Sequence, residues 1–304
     1  MKKFAHSAAV FAIISSVVAT TVPIAANAAQ PANPKTIRVG FVPSSNATTM
    51  EARAKPLGKM LSKQLGQKVV VTVSTDYNSI VEALGSDKID VGFLPPDGYV
   101  QAHKQYGAKV LLQTVRNGVN NDGSLQKKMV NWYRALIIVR KDSKVKSVKD
   151  LKGKNIAVQD VTSSSGYIFP IYYLQKKGIN VVKNSNLVTV KGHDQGVLAV
   201  ENKQADAAFI FQDARNLVKA DVPNVFKDTK ILAETMKIPN DTVTARKMLS
   251  KKLDTKIQTA FIKIAKTKKG EKLVENLYDI AGFSKSKDAN FKIVRTADKA
   301  VVGK

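Results

Sequence analysis

The chain has 304 residues, 44% of them apolar, and 49 Lys and Arg against 24 Asp and Glu, a formal charge of +25. It contains no cysteine, which excludes disulfides, thiol catalysis, zinc–thiolate sites and a cysteine-linked lipid anchor. Beyond residue 28 only His103 and His193 remain as imidazoles, too few for a histidine-rich metal centre, so neither a metal nor another cofactor is expected.

At the amino end, Lys2 and Lys3 precede an apolar stretch from Ala8 to Ala19, then Pro23 and the small-residue sequence Ala26-Asn27-Ala28. This is the pattern of a cleaved secretory signal over residues 1–28. Residues 29–35, "AQPANPK", read as a short disordered leader. Loss of the signal removes two lysines and no acid, leaving +23, a surplus that favours association with anionic polymers whatever the fold. No later stretch approaches the roughly 20 apolar residues that a bilayer span needs.

"TIRVGFVP" (Thr36 to Pro43) is a β-rich run, followed by a polar loop and a helical stretch from about Met50 to Leu65 with Leu57, Met60, Leu61 and Leu65 on one face. "KVVVTVS" is a second strand, Asp76 caps a second helix ending near Gly85, and "IDVGFLPP" is a third strand with a short helix from Asp97. The order β-α-β-α-β indicates a parallel or mixed α/β sheet. The pattern restarts with the strand "YRALIIVRK", a short helix and strand in "VKDLKGKNIAV", the strand "NLVTVKG", a helix from Asp194 to about Lys203, and the strand "ADAAFIF". The expected organisation is a first lobe over 36–132, a second lobe over 133–231, and a return to the first lobe over 232–304, the chain crossing on extended segments. An amphipathic helix from Lys251 to Lys268 belongs to that return.

Ligands of open α/β sheets bind at the carboxyl ends of strands. The loops there are Ser44–Asn46, Asp76–Ser79, Pro95–Asp97, Thr162–Ser165, Gly192–Asp194 and Gln212–Asp213. In "DVTSSSGYIFPIYYL", four hydroxyl residues, Thr162 to Ser165, stand directly before a glycine and an apolar run. One such residue is enough to cap a helix. Several hydroxyls beside free first-turn amides also make a cradle for an oxyanion, although hydroxyl-rich loops are ordinary turns as well.

The segments "DYNSIVEALGSDKIDVGF", "YRALIIVRKDSKVKSVKDLKGKNIAV", "SSSGYIFPIYYLQKKGI" and "GHDQGVLAVENKQADAAF" together resemble the phosphate-, phosphite- and phosphonate-binding solute receptors of ABC importers, in the right order over most of the chain. The resemblance implies a two-lobed type II periplasmic-binding fold, α/β, with a ligand cleft between the lobes and a membrane permease as partner. It implies that Ser163, Ser164 and Ser165 hold the oxyanion, that Tyr77 of the Asp76-Tyr77 pair and His193 after Gly192 assist, and that Asp213, seven places beyond Asp206, faces a ligand's amine where one is present. Ser44 and Ser45 are added as loop donors. One departure stands out: where members of the family carry a tyrosine, this chain has Leu94-Pro95-Pro96, which offers no side-chain donor.

Each residue has a plainer role available: capping for the serines and for His193, packing for Tyr77, and an ion pair with Arg215 or another surface cation for Asp213. The favoured function is an extracytoplasmic solute-binding protein, a monomer, binding a small phosphorus oxyanion in a cleft of neutral donors without a lysine or arginine. The alternative is a cationic, adhesin-like wall-associated protein with a diverged cleft. No G-x-S-x-G elbow, carboxylate pair or metal cluster supports an enzyme. The lysine run "KKLDTKIQTAFIKIAKTKK" lacks the interleaved aromatics of a nucleic-acid binder, and nucleic acid is not expected as a primary partner. With no lipid anchor, the eight lysines from Lys251 to Lys272, placed away from the cleft, are expected to hold the secreted protein to anionic polymers of a Gram-positive surface.

Overall fold

The computed structural model describes residues 32–303, so the expected signal over 1–28 and the start of the expected leader lie outside the described residues. The described end of the leader is not loose. Ala32 forms a β-bridge with Leu249, its N–H donating to the Met248 carbonyl at 2.6 Å and its carbonyl accepting from Ser250 N at 3.0 Å.

β1 (Thr36–Phe41), α1 (Ala47–Leu65), β2 (Lys68–Val73), α2 (Tyr77–Gly85) and β3 (Val91–Leu94) follow the alternation seen in the sequence. Both helices begin at side-chain caps: Asn46 accepts from Thr49 N at 3.0 Å, and Asp76 from Ser79 N at 2.8 Å. α3 (Pro96–Tyr106) starts one residue before the expected Asp97, because Pro96 fills the first helical position, where a missing N–H leaves no bond unmade.

A long strand, β4 (Lys109–Val119), then forms a hairpin with β5 (Leu125–Val130), and β6 (Trp132–Tyr133) leads into the second unit. That unit contains β7 (Ala135–Arg140), β8 (Asn155–Val158), α4 (Phe169–Lys176), α5 (Val181–Asn184), β9 (Asn186–Thr189), α6 (His193–Glu201), β10 (Ala207–Phe211), α7 (Val225–Asp228) and β11 (Thr229–Glu234). The boundary expected at residue 231 falls inside β11, whose pairing with β7 continues to Glu234. The chain returns through β12 (Ile238–Pro239), β13 (Thr242–Ala245), α8 (Lys251–Ala265), α9 (Lys268–Tyr278), β14 (Gly282–Lys285) and α10 (Lys292–Val302). The helix expected from Lys251 to Lys268 is α8, which stops at Ala265, and a separate helix, α9, starts at Lys268. Thr267 caps the second by accepting from Gly270 N at 3.1 Å, and a Cβ on Gly270 would stand 2.0 Å from the Ile264 carbonyl oxygen.

Two sheets result. In the first the order is β14-β4-β13-β3-β1-β2, with β5 added to β4; β1 runs parallel to β2 and β3, and β13 is antiparallel to both β3 and β4. In the second the order is β11-β7-β10-β8-β9. α1, α8 and α9 cover one face of the first sheet through Met50, Leu57, Leu61, Phe261 and Leu277, while α2 and α3 cover the other. Asp90 is buried at the start of β3 and accepts from Arg38 of β1 at 3.0 Å and from Arg246 after β13 at 2.8 Å. The two crossings between the lobes lie side by side: β6 pairs with β12, and Asn240 N donates to the Asn131 carbonyl at 2.9 Å. α10 packs Val294 and Ala297 into a cluster that also holds Tyr99 of the first lobe and Phe169 of the second.

Candidate functional site

Strand ends of both lobes meet at one cavity of about 660 Å3, counted out to its open mouth. From the first lobe come Ser44 and Ser45 after β1, and Tyr77 at the start of α2; from the second come Ser163, Ser165 and His193. Asp76 does not enter the cavity wall. It is the α2 cap, and its grip on Ser79 sets Tyr77 facing inward.

The hydroxyl cluster opens a π-helical turn, Ser164–Ile168, that leads into α4. Ser163 caps it by accepting from Gly166 N at 3.2 Å. The three serines divide their work: Ser163 and Ser165 line the cavity, whereas the Ser164 hydroxyl is buried and accepts from Asp97 N of the opposite lobe at 2.8 Å. Gln159 holds this loop to its neighbour. Its amide donates to the Gly192 carbonyl and accepts from Gly192 N, both at 3.0 Å. Gly192 has φ +99° and lies so close to Ser45 that a Cβ would stand 3.1 Å from the Ser45 Cα, which is why the chain needs glycine there. The His193 amide donates across the cleft to the Ser44 carbonyl at 2.9 Å.

Burial drives the His193 imidazole down from its ordinary value to about 3, and its Nδ1 has no protein partner among the described residues. The ring is therefore neutral and packs edge-on against Phe211, centroids 4.8 Å apart. Burial likewise pushes the Tyr77 phenol upward, so it remains a hydroxyl donor.

Asp213 is brought to the site but not to its wall. It is buried behind Arg116 of β4 and forms an ion pair with that guanidinium. The partner considered from the sequence, Arg215, is turned away to the Asn121 carbonyl at 2.6 Å and the Phe226 ring. Arg116 and Arg53 both line the cavity, which corrects the expectation of a cleft without arginine.

Further wall residues carried no sequence signal of their own. Tyr133 and Tyr278 contribute two phenols that burial pushes upward and keeps neutral. The Tyr278 hydroxyl donates to the Val42 carbonyl at 2.7 Å, and Pro95 of the same wall has no hydroxyl, while Leu94 is buried in the core. Asp241, between β12 and β13, and Asp279, after α9, also face the cavity. Enclosure pushes Asp241 up to about 7 even though Arg116 opposes the shift; Asp279, whose side chain is still 45% exposed, is raised as well by partial burial and the nearby Asp213 carboxylate. Arg116 stands in the mixed run "KVLLQTVRNGV", where nothing in the sequence marks it for this charged end.

The lysine-rich α8 and α9 are not wholly remote from the cleft. Lys268 and Lys272 flank a surface hollow shared with Arg53, Asn276 and Asp279, which themselves line the cavity, so part of the basic surface borders its mouth. Chemically, the cavity is a wall of neutral hydroxyls and one neutral imidazole, with Arg116, Arg53, Asp241 and Asp279 as its charged groups. Among the described residues there is no metal-ligating cluster and no helix long and apolar enough to cross a membrane.

A family model described as "ABC transporter, phosphonate, periplasmic substrate-binding protein" matches residues 39–291. The chain is 27% identical over 247 residues to the phosphonates-binding periplasmic protein of Escherichia coli, covering 80% of this chain and 70% of that one. It is 30% identical over 188 residues to a phosphate-import protein of Mycolicibacterium smegmatis, covering 59% and 56%. Among solved structures it is similar to the binding component of a Pseudomonas aeruginosa ABC phosphonate transporter, with TM-score 0.76, 22% identity and coverage of 89% and 87%. It is also similar to a Prochlorococcus marinus protein in complex with methylphosphonate, with TM-score 0.75, 18% identity and coverage of 89% and 99%. The fold is that of the type II periplasmic-binding proteins, and the chain belongs to the phosphonate-type periplasmic substrate-binding family of ABC transporters, whose members are receptors rather than enzymes.

Proposed function

We propose that this protein is the extracytoplasmic receptor that captures a small phosphorus oxyanion, a phosphonate, phosphite or phosphate ester, and presents it to a membrane permease. The observation that carries this is the convergence of Ser44, Ser45, Tyr77, Ser163, Ser165 and His193 from both lobes on one cavity. Neutral hydroxyls and amides complement an oxyanion by charge-assisted hydrogen bonds, and α4 and α6 begin at the two loops that supply the serines and the imidazole. The names of the relatives support the same ligand class. The protein works as a monomer.

The test is a thermal-shift and calorimetric panel of phosphate, phosphite, methylphosphonate, 2-aminoethylphosphonate and sulfate. A bound ligand at 100 times its dissociation constant stabilises the fold by about 2.7 kcal/mol. Stabilisation by sulfate alone would overturn the assignment to phosphorus.

We further propose that the basic surface keeps the secreted receptor at the cell. All eight lysines from Lys251 to Lys272 are exposed on α8, α9 and the turn between them, and an anionic wall polymer of a Gram-positive surface would be held there without a lipid.

A further inference from the structure

We infer that Arg116 builds into the receptor the positive charge that a ligand's amine would otherwise supply, so that the cavity selects oxyanions without a cationic group. The inference rests on the cavity being a site for phosphorus oxyanions.

Three carboxylates gather at one end of the cavity. Asp241 and Asp279 stand on its wall and Asp213 lies directly behind. By themselves they would attract an ammonium. Arg116 already occupies their centre. Its side chain is only 12% exposed, it forms an ion pair with Asp213, and its Nη2 lies 4.0 Å from the Asp279 carboxylate. The guanidinium is flanked by the rings of Tyr133 and Phe211, with centroids at 5.9 and 5.8 Å. β4 brings the arginine from the first lobe, and the segment after β10 brings Asp213 from the second, so the pair closes this end of the cleft.

A guanidinium stays charged in any folded protein and has a planar, pre-organised array of donors. It is a permanent occupant that no change of protonation removes. An ammonium entering here would find the most buried carboxylate already neutralised and a fixed like charge beside it. An anion would find a charged donor in Arg116, with the second guanidinium of the wall, Arg53, close enough to act on Asp279. Arg116 has five N–H donors, and among the described residues only the bond from Nη2 to Asp213 engages them. The same guanidinium that repels an amine therefore adds a charged donor to the hydroxyl wall.

The test compares methylphosphonate with 2-aminoethylphosphonate by calorimetry at one pH, on the native protein and on Arg116→Met. The native protein is expected to bind methylphosphonate at least about tenfold more tightly, and Arg116→Met to reduce that preference at least about tenfold by leaving Asp213 free to pair with the amine. Equal or tighter native binding of 2-aminoethylphosphonate would overturn the inference while leaving the phosphorus-oxyanion site standing. So would an Arg116→Met protein that weakens both ligands in the same proportion. Should Arg116→Met not fold, the double variant Arg116→Met/Asp213→Asn removes the buried ion pair as a unit and leaves Asp241 and Asp279 to meet the amine with no guanidinium between them: loss of the preference supports the inference and its retention overturns it. If neither phosphonate, nor phosphate, nor phosphite binds the native protein, the site assignment itself fails and the selectivity falls with it.

Discussion

Ser164 and Asp97 join the two lobes: the buried Asp97 N–H, at the first turn of α3, donates to the Ser164 hydroxyl at 2.8 Å. The bond gives neighbouring serines opposite consequences. Ser163→Ala/Ser165→Ala should weaken oxyanion binding by at least about 100-fold, two charge-assisted bonds being lost, while costing the fold only about 1 kcal/mol for the cap. Ser164→Ala should lower stability by about 1–3 kcal/mol, because it strands a buried N–H. Calorimetry and thermal melts of both variants separate the two roles, and equal binding losses would remove the distinction.

Asp241 provides a pH-dependent test. Enclosure raises its carboxyl to about 7, above the usual carboxylate range. The folded state therefore binds the proton more tightly than the unfolded chain does. The resulting stability is complete at about pH 4 and is lost as pH rises through about 7. Asp241→Asn should leave the melting temperature at pH 4 unchanged and raise stability at pH 8 by on the order of 2 kcal/mol. A variant less stable than the native protein at pH 8 would contradict this.

For His193 the sign is reversed. Its folded value of about 3 lies below the ordinary imidazole value, so its contribution to stability is present above about pH 6.5 and is lost as pH falls towards 3. Ring carbon and nitrogen shifts followed by NMR from pH 8 to pH 5 should stay those of a neutral imidazole. A midpoint near pH 6.5 would show that the ring is open to water.

How much of this was visible in the sequence depended on whether the signal was local. α2 announced itself through Asp76 and its apolar periodicity, and the hydroxyl loop through composition, because caps and turns are written in adjacent residues. β13 gave no such sign. Its four residues, Thr242–Ala245, are a strand only because β3 and β4 present edges on either side of them. The same holds at the site. Ser163 and His193 sit in motifs, whereas Arg116, Tyr133, Asp241 and Tyr278 reach the cavity from four separate segments that only the folded topology brings together. Asp213 shows the limit from the other side, since its spacing was legible but the arginine that claims it lies 97 residues away in the chain.

Surface retention by charge predicts its own reversal by salt. Exposed charges interact over about 10 Å at 0.1 M salt and about 3 Å at 1 M. Washing intact cells with molar salt should release the protein, and replacing Lys251, Lys252, Lys256 and Lys263 with glutamine should move it to the medium. Persistence on the cells through the wash would point to a protein anchor instead.

The position of β13 between β3 and β4 also governs the order in which the molecule can assemble as it is synthesised. The second sheet draws on one continuous stretch, Ala135 to Glu234, and can form as soon as that stretch is complete. The first sheet cannot. Until Thr242–Ala245 has been made, β3 and β4 have nothing to join them, and each presents an open strand edge. The cavity waits longer still, because its wall includes Asn276 to Asp279. A nascent chain that stops before Thr242 has a finished second lobe and an unjoined first lobe, and one that stops before Asn276 still lacks part of the cavity wall, so the pocket is complete only once Asp279 has been added.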